Sequence, residues 1–432
     1  MMSWLDRHRL KLYLRNSIWV FPVVNIAAGL IAVALLNRVD RALGWEINLG
    51  ADAARTVMGT VAASMFTLVV VSSSAILLAV QLASAQLTPR IISLVYRSRI
   101  RKLCISAFCF TFTFSVGALV RIESTVPLLT SYAAAYGFLI NLALFLYFID
   151  GMGKTLRPGA ALHVVALAGR DVVQSVYPSR LKSEQPLISK PLEILKREPR
   201  RLIINEVDGV VLAFDHMGLI RLAESANCLI ELVPQVGDFI AAGDPLFRLF
   251  NGGESISGET LRSSVAMGQE RTLEQDPTYA FRIIVDIASK ALSPAINDPT
   301  TAVLAIDQIH HLLRNVGSRS LAQGRETDGR GELRLVYRTP DWEDFVHLAV
   351  TEVRQYGRES IQVMRRLRAM LENLIQTLPE RRAPMLRLEL SLLQTSAKRM
   401  FVDLYDQALA ETGDLQGMGG GEYREPGVPA IA

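Results

Sequence analysis

The chain has 432 residues, half of them hydrophobic and a fifth charged, with a formal net charge of only +4. A mean hydropathy of +0.26 is high for a wholly soluble protein, and the length suits about two to three domains. No extended basic, aromatic-laced stretch argues for a nucleic-acid partner, and Cys104, Cys109 and Cys228 cannot build a secreted-type disulfide framework.

Residues 1–16 read as an amphipathic leader, with Arg7, Arg9, Lys11 and Arg15 beside Trp4, Leu5, Leu10, Leu12 and Leu14. Four apolar spans follow within 17–150, the first being Ser17 to Leu36, about the twenty residues that cross a bilayer as a helix. The basic start and Ala32-Val33-Ala34 also fit a cleaved secretory leader, but the apolar run continues through Leu36, which favours a retained span. The second span runs from Thr56 to Leu87 and stops before Pro89. The third, Leu103 to Val120, and the fourth, Val126 to Ile149, form a hairpin about Arg121 and Glu123.

Basic residues fix the orientation. The leader, the segment with Arg90, Arg97, Arg99, Arg101 and Lys102, and Lys154 with Arg157 all belong on the cytoplasmic side of an inner membrane, so both termini are expected there. Arg90, Arg97, Arg99, Arg101 and Lys102 are expected to face anionic lipid headgroups. No Asp, Glu, Lys, Arg or His lies mid-span, which argues against proton-coupled transporters and voltage sensors. Asn25 and Asn141 read as sites of hydrogen bonding between helices.

Within the second span Thr60, Thr67, Ser74, Gln81 and Thr88 recur every seven residues, a polar stripe along one helix face. Two readings stand: close packing of helices through small and hydroxyl residues, or a neutral, water-lined conduit in a homo-oligomer.

Residues 151–200 read as a linker and helix interrupted by Pro158, Pro178, Pro186 and Pro191, and 201–252 as a small β module. Its Val236-Gly237-Asp238 and Gly243-Asp244-Pro245 turns suggest a barrel-sandwich fold of the biotinyl-lipoyl type, with no lysine between Arg201 and Phe250 to carry a prosthetic group. The segment 253–330 holds a helix pair in which Asp276-Pro277 and Asp298-Pro299 combine an N-cap acid with proline at the first helical position. Around these turns Arg271, Glu274, Asp276, Asn297 and Asp298 form a candidate cluster, either capping helix ends or holding a small ligand or ion. Residues 331–410 read as a strand, Gly331 to Arg338, and a helical hairpin broken near Pro379 to Pro384, with Arg365, Arg366 and Arg368 off its apolar face; the glycine-rich 411–432 reads as disordered.

Chemical motifs are sparse. Gly151 to Thr155 ends like a phosphate-binding loop but lacks its first glycine and follows a membrane span instead of a strand. Asp307, His310 and His311 share a helix but lack a third metal ligand. The expectation is therefore an α-helical membrane region followed by a cytoplasmic α+β region, with no catalytic residues, no cofactor and no metal. VQLASAQLTPRI (80–91), VGDFIAAGDPL (236–246), ERTLEQDP (270–277) and ALSPAINDPTTAV (291–303) resemble the domain of unknown function 2254 family of predicted bacterial membrane proteins. That resemblance implies an inner-membrane location and this two-part architecture, and supplies no activity. A non-conducting scaffold or ligand sensor is the alternative to a conduit.

Overall fold

The computed structural model describes residues 3–46, 50–92, 99–122, 126–155, 157–181, 193–321 and 324–420; Arg97, Glu123, Pro186, Pro191 and the tail from residue 421 lie outside them. The chain divides into two compact units, Lys11–Ala161 and a larger one made of Met1–Leu10 with Leu162–Ala432. Helix α1 (Trp4–Asn16) contributes to both. Its Trp4 and Leu5 pack in the larger unit against Leu212, Ala213 and Ala266.

The smaller unit is built from α2 (Val20–Leu43), α3 (Ala51–Gln86), α4 (Arg99–Arg121) and α5 (Leu128–Thr155), each long and apolar enough to cross a membrane. Helix α3, at about 54 Å, is far longer than a hydrocarbon core of roughly 30 Å requires. Leu87 ends it, and Thr88 caps the following 3₁₀ turn, its hydroxyl accepting from Arg90 N. Helix α4 is the most enclosed, burying Phe108, Phe114 and Ala118 with the hydroxyls of Thr111, Thr113 and Ser115. Small residues permit this: a Cβ on Gly117 would stand 2.6 Å from Val33 of α2, and one on Gly29 would stand 2.9 Å from Phe110 O. Asn141 of α5 donates to Thr111 Oγ1 at 2.6 Å, an interhelical bond, whereas Asn25 donates to Phe21 O of its own helix.

Helix α2 runs seven residues past Leu36, and its Asp40 is buried. The Asp40 carboxylate accepts from Leu129 N (2.8 Å), Thr130 N (3.0 Å) and Thr130 Oγ1 (2.7 Å), satisfying free N–H groups where α5 begins. Lys102 is turned inward and not toward lipid, correcting the headgroup assignment for that residue. Its ammonium donates to Leu14 O (3.2 Å) and Arg15 O (2.6 Å), carbonyls that the end of α1 leaves free.

The larger unit follows α6 (Pro158–Val176) with β1 (Arg201–Ile204), β2 (Gly209–Phe214), α7 (His216–Ser225), β3 (Leu229–Leu232), β4 (Phe239–Ile240), β5 (Pro245–Phe250), α8 (Gly258–Arg262) and β6 (Val265–Gly268). Then come α9 (Pro277–Ala291), α10 (Pro299–Gly317), β7 (Arg325–Thr327) and β8 (Leu333–Tyr337). Among the described residues the strands form two open sheets, β1-β5-β3-β8-β7 and β4-β2-β6, and no closed barrel. The β module therefore recruits strands from beyond residue 252. Neighbours pair antiparallel except β3 and β8, which run parallel with Ile230 opposite Leu335. Ile230, Phe247, Leu249 and Leu335 fill the core between this sheet and α7.

The C-terminal helices are α11 (Trp342–Val346), a π-helical turn His347–Thr351, α12 (Glu352–Tyr356), α13 (Ile361–Thr377), α14 (Ala383–Met400) and α15 (Leu404–Ala410). Arg365 and Arg366 of α13 depart from expectation, being buried. Arg366 Nε donates to Asp307 Oδ1 at 2.7 Å, and Arg365 donates to the carbonyls of Thr412 (3.2 Å) and Gly420 (3.0 Å). Residues 411–420, expected to be disordered, are held as a strap over Arg365. The carboxylate of Asp414 gathers the N–H groups of Gln416, Gly417 and Gly419 at 2.8–3.0 Å, so backbone carbonyls can turn toward the guanidinium.

Candidate functional site

Helix α3 buries Ala54, Met58, Val61, Met65, Ile76 and Ala79 against its own neighbours. Thr60, Thr67, Ser74 and Gln81 all lie on the other side, exposed on the single chain, while Thr88 is buried at its cap. Thr60 donates to Thr56 O and Thr67 to Ala63 O, so these hydroxyls are satisfied within the helix. Among the described residues Ser74 and Gln81 have no side-chain partner. Of the basic set, Arg90 and Arg99 are exposed, Arg101 is partly covered, and Lys102 is spent on α1.

The predicted ligand or capping cluster is split in two. Helix α9 begins after Asp276 and ends seven residues before Asp298, which puts the two acids at opposite ends of a 15-residue helix, about 22 Å apart at 1.5 Å per residue. Asn297, in the left-handed region at φ 48°, and Asp298 turn the chain into α10, where Asp298 accepts from Thr301 N at 3.0 Å. At the other end Asp276 accepts from Thr278 N (3.0 Å) and Tyr279 N (3.1 Å), and Arg271 Nη1 lies 3.6 Å from its Oδ2. Burial nonetheless raises the carboxyl pKa of Asp276, with the Thr278 bond and Arg271 opposing. Glu274 is also engaged.

Beside that end of α9 lies a cavity of about 410 Å³, within the range of small-molecule sites. It sits beyond the carboxyl ends of the parallel strands β3 and β8, where Gln235 and Val236 follow β3 and Arg338 to Pro340 follow β8, a position that sheets with parallel strands commonly give to ligands. Its aromatic wall is Phe214, His216 and Tyr337. Phe214 and Tyr337 meet edge to face at 4.9 Å and His216 and Tyr337 at 5.8 Å, so none of the three rings stacks in parallel on another. Glu326 Oε1 accepts from the Tyr337 hydroxyl (3.4 Å), and His216 Nε2 lies 3.2 Å from the same oxygen. Burial, then the Glu326 charge, drives the Tyr337 hydroxyl pKa upward, keeping that proton in place. Gln275 closes the wall, accepting from Phe214 N (3.1 Å) and donating to Phe214 O (3.3 Å), as a neighbouring strand would.

Val236 and Gln275 lie within the VGDFIAAGDPL and ERTLEQDP segments, but Phe214, His216, Gln235, Glu326, Tyr337 and Arg338 carry no motif and come from segments as far apart as Phe214 and Tyr337. Other motifs resolve into packing. Gly151 to Thr155 continues α5 as helix, with Lys154 paired to Asp150. His310 bonds Asn373 through Nε2 at 2.9 Å and Arg366 through Nδ1 at 3.3 Å, and no group of three metal-ligating residues exists among the described residues.

The profile of a family described as predicted membrane proteins, DUF2254, matches residues 15–373. The chain belongs to this family. The DUF2254 region takes in all four apolar helices, both sheets, the α3 stripe and the cavity. Uncharacterized proteins of Mycobacterium bovis and Mycobacterium tuberculosis are similar, each 26% identical over 430 residues, with 94% of this chain and 81% of their own length covered. No solved structure matches the chain.

Proposed function

We propose that this DUF2254 protein spans the bacterial inner membrane four times with both termini in the cytoplasm, self-associates through α3, and uses the polar face of that helix to line a narrow path for small ions. The observation carrying this reading is that Thr60, Thr67, Ser74 and Gln81 are all exposed while the opposite face of α3 is packed against its own chain. An unpartnered amide such as that of Gln81 is costly against hydrocarbon and is satisfied by water or by a second copy of the helix. The larger unit is then the cytoplasmic assembly or sensing part, and exposed Arg90 and Arg99 meet anionic headgroups. No catalytic step belongs to this reading.

The test is mass in mild detergent followed by ion flux in proteoliposomes, for the parent and for Ser74→Leu with Gln81→Leu. The expected result is an oligomer whose flux falls to background in the variant with assembly intact, because an apolar constriction excludes water. An oligomer with no flux, whose assembly the variant disturbs, supports the non-conducting scaffold instead. A strict monomer in detergent and in bilayers ends both.

A further inference from the structure

The cavity beyond β3 and β8 is lined by polar side chains that the fold uses only in part. Gln275 is consumed in bridging Phe214, and one oxygen of Glu326 is consumed by His216 and Tyr337. Glu326, Gln235 and Arg338 line the same space, and Glu326 Oε2, the Gln235 side-chain amide and the Arg338 guanidinium have no protein partner among the described residues. An acid, an amide and a cation thus line one cavity with rings that are not stacked in parallel on one another.

We propose that this cavity binds a guanine nucleotide. A carboxylate with one free oxygen accepts hydrogen bonds, and Glu326, held by His216 and Tyr337, is fixed in orientation before any ligand arrives. Guanine places ring N1–H and exocyclic N2–H donors side by side on one edge, whereas adenine presents an acceptor at its N1. A flat purine suits the half-buried Tyr337 ring, backed by the buried Phe214, with aromatic contacts worth about 0.5–1.5 kcal/mol beyond their area. The Gln235 amide can both donate and accept at the remaining base edge. Arg338, exposed at the mouth and free of an acid partner among the described residues, supplies the bidentate fork that a phosphate takes. The site depends on neither assembly nor conduction, so it stands apart from the α3 reading.

The experiment is isothermal titration of the full-length, detergent-solubilised protein with guanosine monophosphate, guanosine, adenosine monophosphate and tryptamine. Guanosine monophosphate should bind, and adenosine monophosphate at least tenfold more weakly. Glu326→Gln should lose at least tenfold for guanosine monophosphate, since it keeps size but replaces one acceptor with a donor. Arg338→Gln should weaken guanosine monophosphate while leaving guanosine unchanged. Thermal melts establish that both variants are folded. No binding of either nucleotide at millimolar concentration to folded protein overturns the proposal, as does guanosine monophosphate binding that is indifferent to Glu326→Gln. Binding of tryptamine alone overturns it in favour of an aromatic amine held by Glu326.

Discussion

Replacing Gln275 with Ala should loosen the cavity wall and lower stability by about 2 kcal/mol, through two backbone groups 61 residues away in sequence. Phe214 ends β2 nearly buried, and its N–H and C=O point at the Gln275 amide, while the adjoining Asp215 N pairs with Ser264 O. An unpaired buried group costs roughly 1–3 kcal/mol, and two would approach the sum; the neighbouring cavity lets water reach the orphaned pair, which brings the total toward the lower end. For a unit of this size that is a fall in melting temperature of about 3–4 °C. Gln275→Glu should be no better, because a carboxylate still accepts from Phe214 N but repels Phe214 O. Thermal unfolding followed by the fluorescence of buried Trp342 reads the change. If both variants melt within about 1 °C of the parent, the amide is not bridging β2 to α9 and the wall is held by something else.

Gly237→Ala should destabilise by about 2–4 kcal/mol: φ is +96°, and the new Cβ would stand 2.6 Å from the Asp276 oxygen, disturbing the α9 cap as well. Gly243→Ala, at the same φ but with nothing within 4 Å, should cost clearly less, and equal losses in denaturant titrations would count against the steric explanation. His310 supplies a pH dependence. Burial is the largest influence holding its pKa below 6.5, with Arg366 and Arg314 acting the same way and Asn373 and Asp307 opposing. The unfolded chain therefore gains a proton near pH 6.5 that the folded chain resists, so stability should decline as pH drops below 6.5 and be unaffected above it. His310→Gln should flatten that decline in melting temperature between about pH 6.5 and 5, and an unchanged slope would remove His310 as its source.

What the sequence determined by itself was whatever depends on local pattern. Four apolar runs specify four membrane-length helices because hydrocarbon requires each span to satisfy its own backbone, and Pro89 marks the end of α3 because proline excludes helix from its predecessor. Asp276-Pro277 and Asp298-Pro299 start α9 and α10 because capping is decided within a few residues. What only the tertiary structure decided was which distant residues share a space. The cluster around Arg271 and Asp298 fell apart because a helix of fixed rise separates its two turns. Lys102 and Arg365 read as surface charges and turned inward because the end of α1 and the strap at 411–420 offer carbonyls that no periodicity encodes. Glu326, Gln235 and Arg338 came to line one cavity through the parallel pairing of β3 with β8, strands about a hundred residues apart whose register is set by the packing of Ile230, Phe247 and Leu335 and not by any motif.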